Sequence, residues 1–205
     1  MYSPPYNRVE DRAELLAFMR ANSFAVLVTG TGGTLQASHL PVRIVEKESN
    51  LALDLHMAKN NPQWQEFFDD EVMVVFAGPH AYVSPRWYVD RERVPTWNYA
   101  AVHAYGVPAL VEDRDKKYAS QRRLVAEMDP QWLTKFDKLP GEYVDRMLDG
   151  IVNFEIPVSR LETRWKLSQN RGRREMELIA AQLDKSTDCV ARALADLTRK
   201  HLVDS

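Results

Sequence analysis

The chain has 205 residues, enough for one sizeable core, and reads as one domain with a tail. Its 27 basic and 29 acidic residues give a formal charge of -2, which excludes a global field for nucleic acid or membrane and leaves only local patches for either. A single cysteine, Cys189, excludes an intrachain disulfide framework; with no signal-peptide pattern in the first twenty residues and no run long enough to span a bilayer, the expected location is the cytoplasm.

Asp11 is placed to cap a helix whose Leu15, Leu16, Phe18 and Met19 recur at helical spacing, and Asn22-Ser23 ends it before an apolar strand at 24–28. Glycines at 30, 32 and 33 predict a hairpin turn into one strand over 34–45, and residues 46–50 a second turn into a strand at 51–56. Residues 72–76 read as a buried strand, 100–111 as a longer one interrupted at Pro108, and 151–158 as a sixth. Helices are expected at 62–68, 115–128 and 142–148. Early hairpins with few helices between strands favour a mainly β, α+β protein built on an antiparallel barrel over a parallel doubly wound sheet.

The stretch 78–106 carries two tryptophans, four tyrosines and two histidines, with prolines at 79, 85 and 95. Read as a long loop, it suits a flat hydrogen-bonding ligand or a partner surface, and equally an ordered loop folded into the core. Beyond Lys166, two helical segments are expected at 173–183 and 187–202, broken at Asp184-Lys185-Ser186.

Three constellations can carry chemistry. In LHMAKNNPQW, a strand ends near His56, Lys59 follows in the turn, and Asn61-Pro62 makes an N-cap and first helical position; backbone N–H groups and an ammonium would meet there, as a phosphate monoester requires. An ordinary capped helix with a solvated lysine accounts for the same residues. In QASHLPVRI, Pro41 implies an edge or a bulge, so the backbone near Ser38–Leu40 is open to a ligand ring; His39 can instead be a core histidine. In LETRWKLSQNRGRR, a tryptophan, a lysine and amide and hydroxyl side chains follow the last strand, a composition for closing over an anion or heterocycle, or for a basic solvated face.

The histidines lack the spacing of a zinc site, GTGG at 30–33 lacks the context of a nucleotide loop, and no nucleophile elbow is present. Between 160 and 200 lie ten basic and six acidic residues, the one local hint of nucleic acid. Ile179, Ala180, Leu183, Val190 and Ala193 fall where a helix-turn-helix places its apolar contacts, with Thr187 opening the would-be recognition helix. Asp184 and Lys185 break that pattern, and a packed helical hairpin explains the same periodicity.

Taken in order, MYSPPYN at the start, SHLPV at 38–42, LHMAKNNPQW at 55–64, VFAGPHAYVSPRWY at 75–88, VPTWNYAAVHAYG at 94–106 and WKLSQNR at 165–171 resemble the PaiB family of FMN-binding negative transcriptional regulators. The resemblance covers residues 1–172 and implies the antiparallel split β-barrel shared with pyridoxamine 5'-phosphate oxidase-like flavoproteins, as a homodimer with FMN at the subunit interface. It implies an FMN-binding domain at 1–171 followed by a C-terminal helical tail at 172–205. Carried over by position, it puts the phosphate at Lys59, Asn60 and the helix start, with His56 and Met57 on the preceding strand end. Ser38, His39 and Leu40 would line the ring edge, Trp97, Asn98 and His103 would approach it, and Lys166 and Gln169 would close the site. A regulator binding FMN, with DNA as a further partner, and an FMN-dependent oxidoreductase or flavin reductase acting on a small molecule are the two functions this leaves open.

Overall fold

Asp11 Oδ1 accepts a 2.8 Å hydrogen bond from Glu14 N and starts the first helix, α1 (Arg12–Ala21). The computed structural model describes residues 1–31, 33–47, 50–67, 70–89 and 92–202. After α1 come β1 (Phe24–Thr31), β2 (Thr34–Pro41), β3 (Arg43–Lys47), β4 (Asn50–Ala58), β5 (Val72–Val83), β6 (Thr96–Gly106) and β7 (Ala109–Val111). Three helices follow, α2 (Arg114–Met128), α3 (Leu133–Phe136) and α4 (Gly141–Asp149), then the long strand β8 (Ile151–Lys166) and the tail helices α5 (Arg173–Leu183) and α6 (Cys189–Lys200).

The eight strands form one sheet in the order β2-β1-β5-β6-β8-β4-β3, with β7 also on β8. The β1–β2, β1–β5, β3–β4, β4–β8 and β7–β8 ladders are antiparallel. The expected single strand over 34–45 is in fact two. β2 ends at Pro41, which cannot donate to a ladder, and after Val42 the chain continues as β3 at the opposite end of the strand order. The first and last strands of the sheet are therefore joined by one residue, whose N–H is bonded to Ser23 O at 2.8 Å. The architecture is the expected mainly β antiparallel split barrel with flanking helices: its two edges share Val42 and do not pair into a closed barrel.

Several expected elements are longer or tighter than local pattern suggests. β5 runs on to Val83 and β6 begins at Thr96, so most of the presumed loop 78–106 is strand, joined through a 3-10 turn at Pro85–Trp87. Among its residues, Asp90 and Arg91 lie outside the described residues, as do Gly32 of the first expected turn, residues 48 and 49 of the second, and Phe68 of the expected helix at 62–68. That helix is a five-residue 3-10 turn, Pro62–Glu66.

By contact the chain divides into two compact units, one of Met1–Phe18, Phe76–His103 and Glu162–Ser205, the other of Met19–Val75 and Ala104–Leu161. β5, β6 and β8 each give residues to both. In the second unit Leu27, Leu53, Leu55, Val74 and Ile156 are buried, and the rings of Phe67 and Phe154 lie 4.8 Å apart. β4 is buried on both faces. Leu51, Leu53, Leu55 and Met57 enter the core, while Asp54 on the other face accepts bonds from Ser120 Oγ of α2 at 2.8 Å and from Arg43 Nη1 at 2.8 Å. Arg43 also reaches Glu127 at 2.5 Å, so a satisfied buried carboxylate fastens α2 to the sheet.

In the first unit the core is Phe76, Val83, Trp165, Leu167 and the buried faces of α5 and α6, with Phe18 packed on Trp165 at 4.5 Å. The tail helices thus share a core with residues 1–18 and 76–103. Their burial follows the helix-turn-helix register in α5, where Ile179, Ala180 and Leu183 are buried, but not in α6. α6 buries Ala191, Leu194, Ala195 and Thr198, leaving Val190 half-buried and Ala193 exposed, and Asp188 rather than Thr187 caps it through Val190 N at 2.9 Å. A packed helical hairpin is what the periodicity encodes.

Candidate functional site

β4 ends at Ala58, and the turn beyond it is closed by Asn61 N bonding Ala58 O at 2.9 Å. Lys59 and Asn60 are exposed at this turn. The backbone of Lys59 is fixed at both ends, its N–H on Gly150 O and its carbonyl accepting from Trp64 Nε1, each at 2.9 Å. Its side chain is thus carried on a rigid base. Asn61 does two jobs: Oδ1 accepts from Gln63 N at 3.0 Å, capping the 3-10 turn, and Nδ2 donates to Ser38 Oγ of β2 at 2.8 Å. With a single turn in place of a longer helix, no macrodipole develops, and the turn itself offers a phosphate the Lys59 ammonium, with the Lys117 ammonium of α2 close enough to interact with it.

β2 terminates the strand order and among the described residues its one ladder is with β1, so backbone groups along its outer side are available, Gln36 O excepted, which accepts from Gln63 Nε2. Ser38 is half-buried, His39 is exposed with its ring 6.1 Å from that of Phe24, and Leu40 points its side chain into the core. Gln63, which sequence reasoning passed over, locks the turn against this edge: Nε2 lies 3.2 Å from Leu27 O, 3.3 Å from Thr29 Oγ1 and 3.3 Å from Gln36 O. Glu66 completes the attachment by accepting from Thr29 Oγ1 at 3.0 Å and from Gln36 Nε2. The only signal for either was their place in a motif already singled out for Lys59 and Asn61.

Strand periodicity separates His56 from Met57. Met57 is buried in the core, whereas His56 lines a cavity of about 310 Å³ with residues of α2, α3 and α4. Burial pushes the His56 pKa down, with the nearby Asp54 carboxylate opposing it.

The remaining expected residues belong to the first unit. Periodicity divides them too: Trp97 and His103 share one face of β6, and Asn98 lies on the other. Trp97 is 53 % exposed, with His80 5.7 Å and Tyr82 6.4 Å from its ring. These three rings, with Gln182, Lys185 and Asp188 of the tail hairpin, border a cavity of about 440 Å³. Asn98 is fully buried and exchanges hydrogen bonds with Ser168 Oγ at 2.9 and 3.2 Å. Ser168 holds a left-handed conformation, φ 68°. Gln169 closes that turn on itself, its Oε1 accepting from Leu167 N at 2.8 Å and its Nε2 donating to Trp165 O at 2.5 Å. Both polar ends of Gln169 are therefore engaged in shaping the turn. Lys166 donates to Thr96 Oγ1; burial pushes its pKa down, and Arg164 adds to the shift. His103 is likewise pushed down by burial and by the chain's amino terminus.

A family model described as "Putative FMN-binding domain" matches residues 1–160. The chain belongs to this FMN-binding family. It is 36 % identical over 206 residues to "Protease synthase and sporulation protein PAI 2" of Bacillus subtilis, covering 98 % of each chain. That alignment extends beyond residue 172, so the tail too has a counterpart in the relative. An uncharacterized protein of Emericella nidulans is 28 % identical over 229 residues, 91 % of each chain. Among solved structures, the FAD and heme binding protein of Mycobacterium smegmatis is similar with a TM-score of 0.59, over 77 % of this chain and 72 % of its own, at 12 % identity. A conserved hypothetical protein of Mycobacterium tuberculosis gives 0.56 over 83 % and 93 %, at 14 % identity. Both likenesses establish the fold.

The second unit fits the family's cofactor. FMN is a phosphorylated flat heterocycle, and the Asn61–Ser38 bond ties the turn bearing an exposed ammonium to an open strand edge that has donors and acceptors to offer. Leu40 and Met57 can contribute backbone alone, since their side chains are in the core. No helix among the described residues is long and apolar enough to cross a membrane.

Proposed function

We propose that this FMN-binding protein holds the phosphate of FMN at Lys59 and Asn60 and the ring edge along Ser38, His39 and Leu40, and that it acts as a homodimeric negative regulator of transcription in the cytoplasm. The observation that carries the site is the Asn61 Nδ2 bond to Ser38 Oγ at 2.8 Å, which makes the cation-bearing turn and the open edge one rigid piece. The regulatory role comes from the kinship with the sporulation protein of Bacillus subtilis.

FMN, when bound, supplies hydride or single-electron chemistry. The chain's own residues bind and orient. Lys59 neutralises the phosphate, Asn61 sets the distance between phosphate and ring subsites, and the backbone of β2 reads the ring edge. In the homodimer, Trp97, His103 and Lys166 keep the role of side chains that approach the ring from the second copy, while Asn98 and Gln169 position the turn at 167–169. Exposed Phe24 and Leu35 beside the open β2 edge favour a second copy docking there. The FMN-binding domain in this reading is residues 1–171, with 172–205 as the regulatory tail. Arg199 of that tail is paired with Asp184 and with Asp196, which weakens the local field available for DNA.

Titration of the full chain with FMN and with riboflavin, followed by quenching of flavin fluorescence, tests the proposal. Binding of FMN at least about tenfold tighter than riboflavin is expected from a charge-assisted phosphate contact. Equal affinities, or none, would overturn it. In the same preparation, binding to genomic fragments that stays sequence-selective as salt is raised supports direct DNA reading; a purely salt-governed affinity assigns regulation to a protein partner instead.

A further inference from the structure

In the first unit, exposed aromatic side chains gather beside the tail hairpin. His80 and Tyr82 stand two residues apart on β5, Trp97 stands on β6, and Trp97 and Tyr82 are 53 % and 47 % exposed. With Trp87 of the 3-10 turn after β5, they wall the cavity of about 440 Å³. The rings are not parallel: Trp97 makes an angle of 47° with His80 and of 76° with Tyr82. Parallel rings would clamp a flat heterocycle, whereas tilted rings form the walls of a cup, the arrangement that holds a compact cation.

The remaining wall carries charge. Asp188 and Lys185, from the turn between α5 and α6, line the same cavity. Asp188 uses Oδ1 to cap α6, which leaves its second oxygen for a ligand. Lys185 is exposed and forms no ion pair among the described residues. The turn that bears both is itself fixed, with Ser186 Oγ accepting from Asp188 N at 3.1 Å and Ser186 O from Arg192 Nη1 at 2.8 Å. One carboxylate and one ammonium cancel, so a ligand with a single charge would leave one of them without a match. A zwitterion engages both. The type of cation follows from the rings: a primary ammonium brings three N–H donors to walls made largely of ring faces, and a quaternary one brings none.

We propose that this cavity binds a betaine, a compact zwitterion whose quaternary ammonium sits among Trp87, Trp97 and Tyr82 beside Asp188 and whose carboxylate meets Lys185. The proposal uses the side of Trp97 that meets His80 and Tyr82, and it stands without FMN. Because the rings belong to β5, β6 and their connection while both charges belong to the α5–α6 turn, an occupant would fasten the tail hairpin to those strands.

Isothermal titration of the full chain with glycine betaine, without FMN, tests the assignment. Saturable binding of one betaine per chain is expected, with a dissociation constant below about 1 mM. The carbon analogue tert-butylacetate keeps the shape and the carboxylate but has no positive charge, and it should bind at least about tenfold more weakly. Lys185→Met should weaken betaine about tenfold with the melting temperature unchanged, since this exposed side chain holds no ion pair. Trp87→Leu, folded by far-UV circular dichroism, should weaken betaine while tert-butylacetate changes less; should it fail to fold, Lys185→Met and the carbon analogue decide the matter. Absence of saturable betaine binding, equal affinity for tert-butylacetate, or undiminished betaine binding by Lys185→Met would overturn the assignment.

Discussion

Asn61 and Ser38 are 23 positions apart in sequence and joined by a 2.8 Å hydrogen bond, Nδ2 to Oγ, that connects the turn after β4 to the open edge of β2. Because the same Asn61 caps the 3-10 turn through Gln63 N, one side chain sets both the local and the long-range geometry of the proposed cofactor site. Asn61→Ala should lower folding stability by about 1–2 kcal/mol, the usual cost of a lost cap, and also weaken FMN by loosening the link to Ser38. Denaturant unfolding and FMN titration on the same variant check the two effects. Asn61→Asp, which keeps the cap and loses the donor, separates them, restoring most of the stability but not the affinity.

Asn98 and Gln169 are positioned to hold structure. Asn98→Ala leaves the buried Ser168 hydroxyl without its partner and should cost about 1–3 kcal/mol in urea unfolding, with the smaller effect on flavin affinity. Gln169→Ala removes both bonds that close the turn and should behave alike. A variant of either that keeps full stability and loses flavin would instead make that amide a direct contact.

Much of this organisation is legible in local sequence, and the exceptions have physical causes. The Asp11 and Asn61 caps are short-range hydrogen bonds encoded within three residues, so pattern finds them. The division of 34–45 into β2 and β3 depends on which distant strands each half meets, which Pro41 hints at but cannot specify. The continuation of β5 through Pro79 escapes a breaker rule because the described β1 ladder covers only Met73–Val75, so Pro79 owes that neighbour no donor. Within the candidate site, motif membership put Trp97 beside Asn98 and His56 beside Met57, yet the two-residue strand period sends each pair to opposite faces. The tail misled in a similar way: Val190 and Ala193 are apolar, but the packing of α6 selects Ala191, Leu194 and Ala195.

Acid sensitivity follows from His56. Its folded pKa lies below the ordinary value of about 6.5 because burial disfavours the imidazolium, so the unfolded chain takes up the proton first. The stability it contributes is complete above about pH 6.5 and is lost as pH falls through the folded pKa. His56→Gln should therefore flatten the decline in urea midpoint between about pH 7 and pH 5, leaving the share due to His103, which is shifted the same way. An unchanged slope would show that His56 is not held neutral by its surroundings.

Gly106 ends β6 against the backbone of β8. A Cβ there would overlap the Pro157 carbonyl oxygen and press on Ile156, neither of which can yield without moving the strand. Gly106→Ala should destabilise by about 3 kcal/mol, read as a lowered denaturant midpoint, whereas Gly141→Ala, with open space around its Cβ, should be close to neutral.

The most direct test of the flavin site is a comparison of wild type and Lys59→Ala against both FMN and riboflavin. Lys59→Ala is predicted to weaken FMN by about 10- to 100-fold, the worth of a charged hydrogen bond to phosphate, while riboflavin affinity is unchanged, so that the variant no longer distinguishes the two. If Lys59→Ala still prefers FMN as strongly as wild type does, the phosphate lies elsewhere and the site built on Lys59, Asn61 and Ser38 is wrong.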